Sequence, residues 1–327
     1  MISLQDLPIP ENLVYVIAGV FGLLAFATLL VAVMRRGKAD EVHKELWLRV
    51  KSWWYMAGIF IFAIAINRTL SVIFLALLSF LAFKEYLSMI PTRRADHRVL
   101  FWAYLAIPIQ FYWIHAGWYG MFIIFIPVWV FLFLPFRMVL LGETEGFLRA
   151  IGTLSWGLMM TVFALSHAAY LLVLPESALV ELAPATAVRQ FDKSGAGLLF
   201  LLVLLTQFND VAQYVWGKLI GGPKIIPKVS PGKTWAGFLG GMFSTSLLAL
   251  ALGPLLSPMS LMMAGIAGAV TALAGFIGDV TISAIKRDLG VKDTGSTIPG
   301  HGGLLDRLDS LTYSAPIFFH YIRYFYY

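Results

Sequence analysis

A chain of 327 residues in which 59% are hydrophobic and only 13% are charged, with a mean hydropathy of +0.81, is not a soluble globular domain. Apolar runs long enough to cross a hydrocarbon core of ~30 Å recur along nearly its whole length, and their lack of period-2 alternation excludes a membrane β-barrel. The net charge of +6 is carried by Lys and Arg scattered over short loops, as the positive-inside rule expects of a helical membrane protein, so no nucleic-acid partner is indicated; with no Cys there are no disulfides, thiolate chemistry or Cys-bound metals.

In chain order, residues 1–11 carry Asp6 and Glu11 but no Lys or Arg, unlike the n-region of a signal peptide, so 12–34 reads as an uncleaved first span. Residues 35–51 hold six Lys or Arg, which places this loop on the cytoplasmic side and the N-terminus outside. Part of that region, 43–54, with Trp47, Trp53 and Trp54, suits an interfacial helix. The apolar stretch 55–83 is broken by Asn67-Arg68, and the next loop, 84–98, is again basic. Two basic loops in succession require an even number of crossings, so 55–83 reads as a hairpin turning at Asn67-Arg68, either two thin spans or a re-entrant pair.

Segments 100–117 and 118–136 form the next hairpin, 150–174 leads out, and 195–216 returns to an inner loop holding Lys218, Lys224, Lys228 and Lys233. A further hairpin, 236–255 and 259–285, turns at Ser257-Pro258, and the last span is 310–327. The expected architecture is an all-α, polytopic membrane protein of about eight to ten crossings. A hydrophobic helical region, 1–194, precedes a catalytic membrane region, 195–327. Clusters Gly237, Gly240, Gly241 and Gly265, Gly268, Gly275, Gly278 predict close helix packing there. His115 and His167 are isolated on apolar segments and read as packing or interfacial residues.

Five of the chain's 18 acidic residues lie between Asp279 and Asp309, flanked by apolar segments. Ionisable groups at a membrane boundary are costly unless they serve a function. Asp306 and Asp309 are three residues apart, on one face of a helix, with Arg307 about 100° away. Asp279, Ser283 and Lys286 line one side of the preceding helix. Converging carboxylates suit a hard cation such as Mg²⁺, held by Asp279, Asp306 and Asp309; the alternative is helix capping with ion pairs to Arg287 and Arg307. The run Pro299-Gly300-His301-Gly302-Gly303 could bring backbone N–H groups and His301 to an anion, or could be an ordinary turn.

Upstream, Ser230-Pro231-Gly232-Lys233-Thr234 resembles a P-loop only at its end, since Pro227 stands where the first glycine is required. Its hydroxyls and ammonium suit a polyphosphate or, equally, anionic lipid headgroups. Asp210, near the inner end of its span beside Asn209, is a functional or a hydrogen-bonded structural carboxylate.

The ungapped run Ser283-x-x-Lys286-Arg287-x4-Lys292-Asp293-x5-Pro299-Gly300-His301-Gly302-Gly303-x2-Asp306-Arg307-x-Asp309 resembles the C-terminal pattern of the phosphatidate cytidylyltransferase family. Asn209-Asp210, Gly217 and Ser230-Pro231-x-Lys233-Thr234-Trp235 resemble an upstream block of the same family, so the likeness covers 195–309. Ala236 stands where the family commonly has Glu, and Gln213 interrupts its Ala-Tyr pair, departures that mark a divergent member. The resemblance implies transfer of cytidylyl from CTP to phosphatidate or a related lipid phosphate, giving CDP-diacylglycerol and pyrophosphate. It implies Mg²⁺, with a second cation left open, on Asp279, Asp306 and Asp309. It also implies that Lys286, Arg287 and Arg307 act in catalysis, and that Asp210, Ser230, Lys233, Thr234, Ser283, Lys292, His301, Gly302 and Gly303 bind substrate. Location in an inner membrane among its lipids, with a cytoplasmic site, follows from the same likeness and the loop charges; homodimerisation is left open. The competing functions are a lipid transporter or flippase and a non-catalytic lipid-binding homologue. A CDP-alcohol phosphotransferase would need an Asp-Gly-x-x-Ala-Arg run, which is absent.

Overall fold

The computed structural model describes residues 10–35, 41–91, 97–175, 195–298 and 302–327. The chain forms α1 (Glu11–Arg35), α2 (Glu41–Ile66), α3 (Arg68–Met89), α4 (His97–His115), α5 (Tyr119–Val139), α6 (Phe147–Tyr170), α7 (Gly195–Leu219), α8 (Trp235–Leu256), α9 (Leu261–Asp288), the short α10 (Leu305–Leu308) and α11 (Leu311–Tyr326). Among the described residues there is no β-sheet, only two isolated bridges, Lys224 to Thr234 and Ile298 to Gly302. Helices α1 to α3 and α5 to α9 are eight segments long and apolar enough to cross a bilayer. The protein is an all-α, polytopic membrane protein.

The hairpin at Asn67-Arg68 is present, but its arms are not thin. Helix α2 begins well before Tyr55 and absorbs the segment read as an interfacial helix, and α3 runs on through Lys84 to Met89. The Asn67 side chain accepts from the Leu70 N–H at 2.8 Å and caps α3, so the break in hydrophobicity is a helix start between two full-length spans. Two helices contain π-type turns, Phe125–Val130 and Met159–Ala164. Pro127 lies within the first, where its missing N–H is one reason for the altered hydrogen-bond register.

Helix α8 packs extensively on both α7 and α9, and α11 lies against α9. Small residues make this possible. A Cβ on Gly268 of α9 would stand 2.6 Å from the Ala249 Cβ and 2.9 Å from the Ser246 Cα and Thr245 carbonyl of α8. One on Gly237 of α8 would stand 2.6 Å from the Gln213 carbonyl of α7. Backbones therefore meet at a separation that a larger residue would prevent. Polar bonds knit the same interfaces: Asn209 donates to the Ala272 carbonyl at 3.3 Å and accepts from the Thr245 hydroxyl at 3.3 Å.

The regions before and after residue 194 share one core. Tyr170 of α6 and Phe319 of α11 are fully buried, with ring centroids 5.4 Å apart. His167 is buried among Phe122, Phe163 and Phe319, and its Nδ1 lies 2.8 Å from the Phe163 carbonyl, as a packing role requires; His115 is exposed. The α7–α8 and α9–α10 connections and the C-terminal end of α3 all meet at one end of this bundle.

Gly268→Leu should destabilise the detergent-solubilised protein by about 1–3 kcal/mol through overpacking of α8 against α9. Gly22→Ala, where nothing lies within 4 Å of the added methyl group, should leave thermal unfolding in the same detergent unchanged or slightly raised.

Candidate active site

The α7–α8 connection folds back on itself before α8 begins. The Ile225 N–H donates to the Lys233 carbonyl at 3.1 Å and the Lys233 N–H to the Ser230 carbonyl at 3.2 Å. Thr234 is the N-cap of α8, accepting from the Gly237 N–H at 3.0 Å. This local structure holds the Lys233 side chain back against the bundle. Its ammonium pairs with Asp279 of α9 at 2.5 Å and donates to the Gln213 amide oxygen of α7 at 3.2 Å. Burial alone would lower the Lys233 pKa, but the Asp279 and Asp210 carboxylates outweigh it and hold the ammonium above its ordinary range.

Two further carboxylates join this cluster. Asp210 of α7 accepts from the Ser310 hydroxyl at 3.0 and 3.1 Å and lies within electrostatic reach of Lys233, Asp279 and Arg307. Asp309 is buried beside them and accepts from the Ser310 N–H at 2.7 Å. Burial, and then the Asp279 and Asp210 charges, push the Asp309 carboxyl well above the usual carboxylate range. Gly278 permits the approach: a Cβ there would stand 2.5 Å from the Asp309 carbonyl. Ser283 donates to Asp279 at 3.3 Å.

Asp306 faces away from this cluster. Its Oδ1 accepts from the Lys286 ammonium at 2.7 Å, and its Oδ2 accepts from the Thr294 N–H at 2.8 Å, the Gly303 N–H at 3.0 Å and the Thr294 hydroxyl at 3.1 Å. Both oxygens are thus occupied by protein donors. Against the upward push of burial, these bonds hold its carboxyl below the usual range. Asp309 follows α10 rather than lying within it, and the short helix ends before the two aspartates can share a long face. The three carboxylates brought together are Asp210, Asp279 and Asp309, not Asp279, Asp306 and Asp309.

The helix start after Gly303 also has an occupant. Glu85, at the end of α3, accepts from the Leu304 N–H at 2.9 Å, the Leu305 N–H at 2.8 Å, the Thr297 hydroxyl at 2.5 Å and the Thr294 hydroxyl at 3.2 Å. The anion at this N-terminus is therefore the protein's own carboxylate. Gly302, at φ +79°, makes a turn that a residue with a side chain rarely adopts, and a Cβ there would also crowd Asp306. Gly303 leaves room for Thr294 and Glu85. Sequence reasoning passed over Glu85 because it lies far upstream in an apolar helix; a lone Glu beside Lys84 at a helix end has the appearance of an interfacial charge.

The remaining expected residues divide clearly. Arg287 donates to the Val229 and Val291 carbonyls at 3.3 and 3.1 Å, tying the two connections together. Arg307 lies near Asp210, whereas Ser230 is half-buried in its turn and Lys292 is exposed. His301 lies outside the described residues.

Whether the cluster suits a hard cation can be judged from its donors. Among the described residues no three His, Asp or Glu side chains close on one point as a protein cage would. Mg²⁺ seldom uses such a cage, taking one or two carboxylates and completing its shell with water and phosphate oxygens. The cluster sets three carboxylates against Lys233 and Arg307, an excess of acidic groups, and burial followed by the Asp279 and Asp210 charges makes Asp309 resist ionisation. The donor chemistry and the charge deficit fit a divalent cation.

Glu85→Ala should leave the Leu304 and Leu305 N–H groups without their acceptor, at a cost of about 1–3 kcal/mol. Amide exchange at residues 294–298 and 303–305 should accelerate, with Glu85→Gln intermediate. The depressed Asp306 carboxyl contributes stability that is fully present above its ordinary value of 3.8 and is lost as pH falls through the lower folded value. Acid titration of thermal unfolding should show this loss, and Asp306→Asn should remove that part of the pH dependence while lowering stability at neutral pH.

A family model described as the cytidylyltransferase family matches residues 47–325. The chain is 42% identical over 308 residues to the uncharacterized protein YnbB of Escherichia coli, covering 94% of this chain and 97% of that one. It is 39% identical over 136 residues to the phosphatidate cytidylyltransferase of Haemophilus influenzae, covering 40% of this chain and 47% of the relative. With the phosphatidate cytidylyltransferase of Mycobacterium leprae it shares 36% identity over 131 residues, or 40% and 42% of the two chains. The alignments with these named enzymes thus span less than half of each enzyme. The match to the family model spans most of the present chain, including most of α2, all of α3 and the whole carboxylate cluster: the protein is a membrane nucleotidyltransferase and belongs to the cytidylyltransferase family.

Proposed function

We propose that the protein transfers cytidylyl from CTP to phosphatidate or a closely related lipid phosphate, giving CDP-diacylglycerol and pyrophosphate, at the cytoplasmic face of an inner membrane. The observation that carries this reading is the convergence of Asp210, Asp279 and Asp309 on Lys233 at the end of the bundle. A polyphosphate cannot approach so negative a cluster unaided. A divalent cation held by Asp279 and Asp309, with Asp210 beside them, would neutralise that charge and polarise the nucleotide phosphates.

The protein's own groups supply the rest. Lys233 can exchange its Asp279 contact for a nucleotide phosphate, and Arg307 is placed to attract the lipid phosphate. The second ionisation of a phosphate monoester has a pKa of about 6, so the nucleophile is already mostly dianionic at neutral pH. No general base is needed. One lipid phosphate oxygen bonds to the α-phosphorus of CTP as the α–β bridging bond breaks, and pyrophosphate carries away the electron pair. The requirements are in-line positioning and charge neutralisation, which fixed carboxylates, Lys233 and Arg307 provide. In this reading Asp306, Lys286, Glu85 and Gly303 position the loop, and Arg287 ties it to the α7–α8 connection. The basic residues at the site end of the bundle support an inner position for that end.

Purified protein in detergent, given phosphatidate, labelled CTP and Mg²⁺, should form CDP-lipid and pyrophosphate in equal amounts, and chelation should stop the reaction. Asp279→Asn and Asp309→Asn should each reduce turnover by about 100-fold or more, as loss of a group stabilising transition-state charge does. Lipid movement without CTP consumption would instead support a transporter, and an unchanged rate in both variants would remove the cluster from the chemistry.

A further inference from the structure

Arg307 has a second setting that the chemistry above does not use. It lines one end of a cavity of about 410 Å³ between α2, α3 and α7. The walls are apolar, with Met56 and Phe60 from α2, Leu78 from α3, and Phe200 and Val203 from α7. Polar lining gathers where α2 and α7 approach the carboxylate cluster: Ser52, Gln207, Thr297 and Arg307. Gln207 donates to the Arg307 carbonyl at 3.2 Å, which fixes it to this end. The Arg307 Nε is buried and has no hydrogen-bond partner among the described residues. A buried guanidinium N–H in that position is costly until an acceptor arrives. Away from this end, Tyr55 and Ile59 also line the cavity and are 60% and 57% exposed, so it opens on the outward surface of α2, where the bilayer lies.

We propose that this cavity seats an acyl chain of the lipid acceptor, with Arg307 holding an oxygen of the phosphate to which that chain's glycerol is joined. The inference rests on the reading of the protein as a lipid cytidylyltransferase and assigns the tail of its substrate. An apolar slot ending in a half-buried guanidinium, whose buried Nε has no partner among the described residues, matches an amphiphile with a long tail and an anionic head. A nucleotide would leave the apolar walls unfilled. A helix from another protein, about 10 Å across, needs a groove rather than a cavity of this volume. The slot is also continuous with the site, because Arg307 lies between it and Asp210. Acyl preference would then be set by α2, α3 and the Phe200 and Val203 part of α7, whereas the headgroup is handled from Asp210 onward.

Two measurements test this. A phosphatidate carrying a diazirine in one acyl chain, photolysed in nanodiscs with the full-length protein and no CTP, should label α2, α3 or α7 residues of the cavity, and excess unlabelled phosphatidate should suppress the labelling. Met56→Trp and, independently, Val203→Phe narrow the slot. Each should lower the ratio of kcat/KM for dioleoyl over dihexanoyl phosphatidate by about tenfold or more, since small volume changes in an apolar pocket discriminate on that scale. Suppressible labelling without CDP-lipid formation would sustain the lipid slot and sink the cytidylyl-transfer reading. Turnover with labels confined to other surfaces, or a ratio unmoved in both variants, would overturn the slot and leave the transfer reading standing.

Discussion

The ion pair between Lys286 and Asp306, 2.7 Å apart and both buried, is the constraint on which the site end of the bundle depends. Removing two charges from water costs several kcal/mol each, and a single contact does not reliably repay it. Here the carboxylate also accepts from Thr294 and Gly303, so its desolvation is met by a full set of donors. Those donors, Thr294 and Gly303, come from two separate parts of the α9–α10 connection, and the ammonium comes from α9. One side chain thereby fixes the end of α9, the following turn and the start of α10. Glu85 performs the matching task from α3.

With that turn fixed, the position of Asp309 is determined. The chain has only a few residues between Asp306 and Ser310, and Gly278 lets the Asp309 backbone lie directly on α9. Asp279, one residue further along α9, is then beside it. The close packing of α7, α8 and α9 brings Asp210 and Lys233 to the same place. Carboxylates that would repel one another in a looser bundle are held together by backbone contacts that glycines alone permit. Burial, and then the neighbouring Asp279 and Asp210 charges, make Asp309 resist ionisation.

The arrangement also divides labour along the chain. The groups with charge to offer a nucleotide come from α7 onward. The earlier helices contribute a shared core, the Glu85 clamp and the walls of the apolar cavity beside Arg307. The alignments with the named phosphatidate cytidylyltransferases cover about two fifths of the chain, whereas the family model extends back into α2.

Much could be read from sequence because it depends on local pattern. Hydropathy and loop charge delineated the spans, including the turn at Asn67-Arg68, although the length of its arms was underestimated. Polar residues at the ends of α2 and α3 lower the mean hydropathy without ending the helix. Fixed spacing likewise picked out Asp210, Lys233, Asp279 and Asp309, since ionisable groups at a membrane boundary stand out in an apolar chain. Sequence by itself determined the class of fold and the family. Tertiary structure decided which carboxylates share a cluster, that Asp306 serves Lys286 and the turn, and that Glu85, more than 200 residues away in sequence, completes it. Periodicity reports which face of one helix a residue occupies; which groups meet across helices depends on packing distances and backbone turns, to which that local pattern is blind.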